Sequence, residues 1–276
     1  MTDKYAVIGN PIAHSKSPQI HRIFAEQTGQ DISYEAILVP AGHDNFAIEI
    51  MRLRREGYKG CNVTVPFKQS AYQPDISGIT WFQSEDVRYA MAANTLMFLD
   101  DGIRIENTDG IGLVRDLDKN LGAKLRGKKL LLMGAGGAAR GVILPLHRAG
   151  ANITIANRTA EKAYILAERF EFDISSCSYE ELAENKFDFI INATSAGLTD
   201  SEILLPAGIF APGALAYDMM YGRETRFMKF AREHGKNIGV QVRDGLGMLV
   251  EQAAEAFFIW RDVRPDTAPV IAALRK

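Results

Sequence analysis

Short apolar runs alternate with longer amphipathic segments along almost the whole chain. Runs at 5–9, 33–39 and 61–65 are rich in the β-branched and aromatic residues of strands, whereas 18–28 and 44–56 have apolar residues at helical spacing. Alternation of this kind is typical of α/β folds with mostly parallel strands. The first third of the chain is therefore predicted to form one α/β unit.

This first unit is predicted to end in a β-hairpin. Apolar runs at 95–99 and 103–105 flank the turn sequence DDG at 100–102, and Asp-Gly between apolar runs is a strong hairpin signal. The preceding segment, 69–93, shows a less regular pattern and is assigned no element.

A second alternating unit follows the hairpin. A helical pattern begins at Asp109 and runs to Gly122, which can serve as its C-cap, and several strand-then-loop segments come after it. The last long helix, predicted over 246–260, is apolar enough to require burial on more than one side. We predict two α/β domains, the first over 1–108, to which 246–276 returns, and the second over 109–245.

Composition narrows the class of protein and of partner. A length of 276 residues fits two domains better than one core. The net charge is −2, and no run of Lys and Arg offers a basic segment for the phosphates of a nucleic acid. A small molecule is therefore the expected partner. Neither Cys61 nor Cys177 belongs to a CxxC pair, and membrane, signal-peptide and metal-ligand patterns are missing, so a reduced, cytoplasmic, metal-free protein is expected.

A glycine-rich turn between a strand and a helix indicates a dinucleotide site. Gly134, Gly136 and Ala139 fit GxGxx(G/A) directly after the apolar run at 129–133. Such a turn lets the backbone approach a pyrophosphate, whose charge the helix N-terminus stabilises. The alternative is that the glycines only pack the helix on the strand.

The residues after the next strand favour NADP over NAD. An NAD site usually has Asp or Glu there, whereas this chain has Asn157, Arg158 and Thr159, with Lys162 close behind. Cations and a hydroxyl attract a 2′-phosphate that a carboxylate would repel. The alternative is that Arg158 is a solvated loop cation.

Together with an NADP site, the polar residues of the first unit suggest an alcohol–carbonyl oxidoreductase. Pro66 ends an apolar strand just before Lys68, and a Lys beside Asp109 could hold the alkoxide-like oxygen of such a reaction and shuttle its proton. Each polar residue also has a simpler structural interpretation. Ser17 before Pro18 can be a helix N-cap, and Asp109 a turn or cap residue.

The ordered motifs resemble those of the shikimate dehydrogenases, specifically the NADP-dependent biosynthetic branch. The matching segments, in chain order, are GNPIAHSKSPQIH, NVTVPFK, AANT, NTDGIG, GAGGAARG, NRT, NATSAG, YDMMY and DGLGMLVEQAAEAF. The resemblance implies reversible reduction of 3-dehydroshikimate to shikimate by NADPH. It also implies a substrate domain that faces a Rossmann NADP-binding domain across a cleft. Whether the protein is a monomer or a homodimer stays open.

The resemblance also implies a role for individual residues. Lys68 and Asp109 match the catalytic pair. The substrate contacts that it implies are Ser15, Ser17, Thr64, Lys68, Asn94, Asp109, Tyr221 and Gln252. The cofactor contacts that it implies are Gly134, Ala135, Gly136, Gly137, Ala138, Asn157, Arg158, Thr159, Lys162, Thr194, Met219 and Gly245.

The chain departs from the family pattern in places, and other functions stay open. Lys162 stands where the branch commonly has Arg, the segment before Asn94 is long, and Met91 replaces a glycine. One alternative is a quinate/shikimate dehydrogenase of broader substrate or cofactor range. A second, of another class, is a non-catalytic NADP-binding sensor.

Overall fold

A computed structural model describes residues 2–40, 42–74, 76–194 and 204–275. The chain divides into two compact units. Unit 1 comprises Met1–Gly112 and Leu249–Lys276, and unit 2 comprises Leu113–Met248. The domain boundaries at 108 and 245 stay our proposal for the functional domains.

Unit 1 is built on a mixed sheet of six strands. Its strands are β1 (Asp3–Gly9), β2 (Ile32–Leu38), β3 (Tyr58–Val63), β4 (Thr80–Gln83), β5 (Thr95–Phe98) and β6 (Gly102–Glu106). They are ordered β2-β1-β3-β5-β6-β4. β1 runs parallel to β2 and β3, while β5 is antiparallel to β3 and β6. The β5–β6 pair is the hairpin expected around DDG.

Helices cover both faces of this sheet. They are α1 (Ser17–Thr28), α2 (His43–Arg55), α3 (Lys68–Tyr72), α4 (Glu85–Ala90) and the start of α5 (Asp109–Arg115), with the C-terminal helices α9 (Leu246–Arg261, in unit 1 from Leu249) and α10 (Ala268–Leu274). Phe46 and Ile50 of α2 belong to one buried apolar cluster with Ile8. Phe24 of α1 belongs to another with Phe257 of α9. The sheet is therefore buried by α2 in one core and by α1 and the C-terminal helices in another.

Two details of unit 1 differ from the sequence interpretation. Ser17 is not the N-cap of α1: Lys16 takes that position with helical backbone angles, and the Ser17 amide donates to Ser15 Oγ at 3.3 Å. The helix therefore begins one residue earlier than expected. The segment 69–93 contains regular structure, because β4 pairs in parallel with β6 at the sheet edge and α4 follows it.

Unit 2 is a parallel doubly wound sheet. Its strands are β7 (Lys129–Met133), β8 (Asn152–Ala156), β9 (Ser175–Cys177), β10 (Phe187–Asn192), β11 (Phe210–Asp218) and β12 (Gln241–Arg243). The order β12-β11-β10-β7-β8-β9, all parallel, is the 3-2-1-4-5-6 order of dinucleotide-binding folds. Its helices include α6 (Gly137–Arg148), α7 (Ala160–Ala167) and α8 (Arg226–Gly235). The strand order reverses between β7 and β10, where such sheets bind ligands.

A buried histidine in unit 1 makes folding stability depend on pH. His21 is fully buried, its ring is stacked on Tyr34 with centroids 4.1 Å apart, and neither ring nitrogen has a hydrogen bond of normal geometry to any residue that the structure describes. Burial lowers its pKa to about 3, and the neighbouring Asn62 side chain opposes this shift. Below pH 6.5 the unfolded chain therefore binds a proton that the folded chain does not, and stability falls as the pH falls.

We expect His21→Phe to flatten this dependence. Between pH 6.5 and 4.5, the wild type should lose about 2 kcal/mol more of its free energy of unfolding than the variant does. Urea denaturation at both pH values measures the difference, and comparing the two proteins cancels contributions from every other titrating group. Equal losses in the two proteins would contradict a neutral buried His21.

Candidate active site

The centre of the site in unit 1 is an ion pair between Lys68 and Asp109. Lys68 Nζ donates to Asp109 Oδ2 at 2.6 Å, and the two side chains are 31% and 15% exposed. A lysine and a carboxylate at this distance, both open to a ligand, can hold an oxygen and exchange a proton with it. The structure thus brings together the two residues that the sequence interpretation made catalytic.

The chain that follows β3 places Lys68 at the sheet end. The Thr64 amide donates to Ile8 O, and the Phe67 amide donates to Thr64 O, which closes a turn through the cis Val65–Pro66 peptide. Lys68 then begins α3, and its carbonyl accepts from the Ala93 amide at 2.9 Å. The backbone of Lys68 is therefore held next to the segment that carries Asn94.

Asn94 is the most highly connected polar side chain of the site. It is 2% exposed, and its Nδ2 donates to Asp109 Oδ1 at 2.9 Å. Its Oδ1 accepts from the Thr108 amide at 2.9 Å. Since Lys68 takes the other carboxylate oxygen, Asp109 is held from both sides.

Gln252 reaches this group from α9. Its Oε1 accepts from Asn94 Nδ2 and from Thr108 Oγ1, each at 3.3 Å, so a polar side chain on an apolar helix has its partners. α5 and α9 approach closely here because residue 112 is glycine. A Cβ on Gly112 would lie 2.7 Å from the Gln252 backbone nitrogen.

The serines of the first loop lie at the start of α1. Ser15 is half-buried and Ser17 is 9% exposed. Ser15 Oγ accepts from the Ser17 amide, so the two hydroxyls occupy one turn. Thr64, also half-buried, follows β3 directly. Their contact with a substrate carboxylate or hydroxyl stays a proposal.

The glycine-rich turn of unit 2 lies at the carboxyl end of β7. Gly134 has φ 104°, a conformation that favours glycine, and a Cβ there would meet Thr194 Cγ2 at 3.1 Å. α6 begins at Gly137, and no side chain caps its N-terminus at Gly136. Ala135 to Ala138 are exposed or half-exposed, so the first amides of α6 are open to an anion.

The loop after β8 and the first turn of α7 carry the cationic residues. Arg158, Thr159 and Lys162 are exposed, and Asn157 Nδ2 donates to Thr159 O at 2.9 Å. Thr159 is the N-cap of α7 but makes no side-chain capping bond. Burial raises the pKa of Tyr179 to about 12, and the charge of Arg158 opposes this shift.

The remaining cofactor candidates also lie at the carboxyl ends of unit 2 strands. Met219 follows β11, and its carbonyl is so close to Gly245 that a side chain at 245 would collide with it. Thr194 Oγ1 donates to Asn192 Oδ1 at 2.7 Å. Tyr221 belongs to unit 2, and burial raises its pKa. Its substrate contact stays a proposal.

Two groups of residues that hold the site were missed by sequence reasoning. In unit 1, Asn94 is hydrogen-bonded to Thr108 and to Thr95, and Thr95 is hydrogen-bonded in turn to Asn62. In unit 2, Asp218 accepts from Asn192 Nδ2 and from the Met220 amide. These supporting side chains, which are Asn62, Thr95, Thr108, Asn192 and Asp218, lie within the motifs given above. No local sequence pattern distinguishes a supporting side chain from a turn residue.

The described residues also lack certain features. No helix among them has the length and apolar character to cross a membrane. Within the same residues, no cluster of three His, Cys, Asp or Glu side chains is arranged to hold a metal ion. Both cysteines are free.

A doubly wound sheet with an open glycine turn, together with a Lys–Asp pair, defines the class of dinucleotide-dependent oxidoreductases. Three family models match the chain: the shikimate dehydrogenase substrate-binding domain over 7–78, shikimate/quinate 5-dehydrogenase over 116–201, and the shikimate 5′-dehydrogenase C-terminal domain over 245–275. The chain belongs to the shikimate dehydrogenase family.

Individual relatives agree with this membership over the full length. The chain is 52% identical to the shikimate dehydrogenase (NADP(+)) of Methylobacillus flagellatus, with 99% of each chain covered. It is 53% identical to that of Dechloromonas aromatica, covering 100% of this chain and 98% of the relative.

Solved structures agree as well. The Ael1 enzyme from Pseudomonas putida matches with a TM-score of 0.91 at 46% identity, covering 99% and 98% of the two chains. Shikimate 5-dehydrogenase from Thermus thermophilus, in complex with NADP(H) and shikimate, matches with a TM-score of 0.85 at 34% identity over 99% of both.

Proposed function

We propose that this chain catalyses the reversible, NADP-dependent reduction of 3-dehydroshikimate to shikimate in aromatic amino acid biosynthesis. The observation that carries the proposal is the Lys68–Asp109 pair at 2.6 Å. The names of its relatives, which share about half of their residues with it, support the same activity.

In this proposal unit 1 binds the substrate and handles the proton. The Lys68 ammonium donates a hydrogen bond to the substrate carbonyl oxygen and gives up a proton as that oxygen becomes an alcohol. Asp109 holds the ammonium in place and accepts from a ring hydroxyl. Asn94 and Gln252 bind further hydroxyls, and Ser15 and Ser17 bind the carboxylate, with Thr64 and Tyr221 as additional contacts.

Groups of unit 2 fit the charges of NADP. The uncapped N-terminus of α6 suits a pyrophosphate, and the exposed Arg158, Thr159 and Lys162 suit a 2′-phosphate. Thr194, Met219 and Gly245, with the Asn157 amide, complete the contacts of the proposal. When bound, NADPH supplies the hydride.

A broader substrate or cofactor range is the second candidate. One matching family model describes a shikimate/quinate dehydrogenase. A Listeria monocytogenes shikimate 5-dehydrogenase structure, 28% identical, contains shikimate and NAD. The alternative of another class, a non-catalytic NADP-binding sensor, is less favoured, because a sensor would not require the Lys68–Asp109 pair.

Initial rates with shikimate or quinate, each with NADP or NAD, test the proposal. We expect turnover with shikimate and NADP to exceed turnover with shikimate and NAD by at least about tenfold, because Arg158 and Lys162 favour a 2′-phosphate. We also expect it to exceed turnover with quinate and either cofactor. Comparable rates with quinate or NAD would move the protein to the broader branch. No turnover in any combination, together with tight NADP binding, would support the sensor.

Location and assembly belong to the same proposal. A cytoplasmic protein fits the free cysteines, one of which, Cys61, is buried. We propose that the protein acts as a monomer or a homodimer, which size-exclusion chromatography with light scattering would decide.

A further inference from the structure

A line of buried polar side chains runs through unit 1 behind the proposed catalytic pair. Tyr34 OH donates to Asn62 Oδ1 at 2.7 Å, and Asn62 Nδ2 donates to Thr95 Oγ1 at 3.0 Å. Thr95 Oγ1 donates to Asn94 Oδ1 at 3.0 Å. Thr95 is completely buried and Asn62 is 7% exposed, and their side chains hydrogen-bond to each other and to Tyr34 and Asn94.

Each hydrogen bond in this line has a fixed direction. Because the backbone carbonyl of Asn94 can only accept, the Asn62 atom that faces it at 3.1 Å must be the amide nitrogen, which leaves Asn62 Oδ1 to accept from Tyr34. Thr95 then receives a hydrogen bond and has only its own proton to give, which goes to Asn94 Oδ1. The Asn94 oxygen therefore points inward and its nitrogen points to Asp109.

The other end of the line is the ring of Tyr34. Burial raises the pKa of Tyr34 well above its ordinary value, so its hydroxyl keeps the proton that it donates to Asn62. The Tyr34 ring is fixed by stacking on His21. The line thus connects Tyr34 with Asn94, and through Asn94 with Asp109.

We propose that Tyr34, Asn62 and Thr95 are positioning residues, which fix the amide of Asn94 so that its nitrogen faces the Asp109 carboxylate and one carboxylate oxygen stays with Lys68. The inference rests on the proposed function, because it assigns these residues to the same reaction. None of the three touches the reacting atoms. They act only through Asn94.

Thr95→Val, with Thr95→Ser as its matched control, tests the assignment. Valine keeps the shape of threonine but cannot donate to Asn94 Oδ1, so among the described residues only Thr108 would still do so. With shikimate and saturating NADP, we expect kcat/KM to fall about 10- to 100-fold, mainly through kcat. Thr95→Ser should stay within about threefold of wild type. The dissociation constant of NADP, whose proposed contacts lie in unit 2, should not change in either variant.

If Thr95 only stabilised the fold, Thr95→Val would change stability and not catalysis. If Thr95→Val lowered only the unfolding midpoint and left kcat and KM within about threefold of wild type, the positioning role would be wrong. Should Thr95→Val not fold, Tyr34→Phe decides in the same way, because the ring keeps its stacking on His21. We expect Tyr34→Phe to lower kcat/KM about tenfold.

The wild-type protein separates failure of the proposed function from failure of this assignment. A wild-type protein without activity on shikimate would overturn both. An active wild type with unaffected variants would overturn the assignment alone.

Discussion

Lys68→Met is expected to lower kcat with shikimate and NADP by about 10³-fold, the largest effect of any single change considered. Methionine keeps most of the side-chain volume but has neither the charge nor the proton. Asp109 would also lose the partner of its Oδ2 atom. Because the ion pair lies in unit 1 and the proposed NADP contacts lie in unit 2, the NADP dissociation constant should stay within about twofold.

The matched control is Lys59→Met, which removes an exposed lysine from β3, the strand that leads to Lys68. It should retain wild-type kcat. Lys68→Arg separates two roles of the charge, since arginine keeps it but cannot release its proton in a protein. Activity within about tenfold of wild type in Lys68→Arg would indicate an electrostatic clamp, and a loss as deep as that of Lys68→Met would indicate proton transfer. Near-normal turnover of Lys68→Met would exclude both roles.

Arg158→Ala is expected to raise KM for NADP about 10- to 100-fold and to change KM for NAD less than threefold. The physical reason is that a charge-assisted hydrogen bond to a phosphate contributes about 1.5–3 kcal/mol, and NAD has no 2′-phosphate to receive it. Initial rates at saturating shikimate, with each cofactor varied in turn, measure both constants. The preference for NADP should therefore fall in the variant while catalysis at saturation is retained.

Arg126→Ala provides the control for this change. Arg126 is an exposed arginine in the turn just before β7, at the opposite end of the strands from the loop after β8. Its loss should leave both KM values unchanged. If Arg158→Ala weakened NAD and NADP equally, Arg158 would contact a part that both cofactors share, and the 2′-phosphate assignment would be wrong.

Most of the fold could be predicted because its signals are local. The glycine turn before α6, the DDG hairpin and the alternation of strands and helices are all readable within a few residues. The segment 69–93 could not be assigned, because β4 is only four residues long and is held by pairing with β6 rather than by its own pattern. Ser17 was assigned to the wrong cap position, because serine followed by proline is the usual composition of an N-cap and first helical residue, whereas here Lys16 takes the N-cap position.

The arrangement of the site was predictable only in part. The sequence indicates that Lys68 follows a strand and that Asp109 begins a helix. No sequence pattern near either residue predicts that their side chains are in contact. The supporting contacts are less accessible still: Asn94 and Gln252 are 158 positions apart, and Tyr34 and Asn62 are 28 apart. Such pairs depend on the packing of whole elements, which a pattern along the chain does not encode.

The two proposed binding surfaces should differ in how easily they can be redesigned. Arg158, Thr159 and Lys162 are exposed in one short stretch that leads into the first turn of α7, so cofactor preference can be altered there one residue at a time. Asn94 instead shares hydrogen bonds with Thr95, Thr108, Asp109 and Gln252, and each of these depends on the others for its orientation. A change of substrate would therefore require several simultaneous substitutions, whereas a change of cofactor would not.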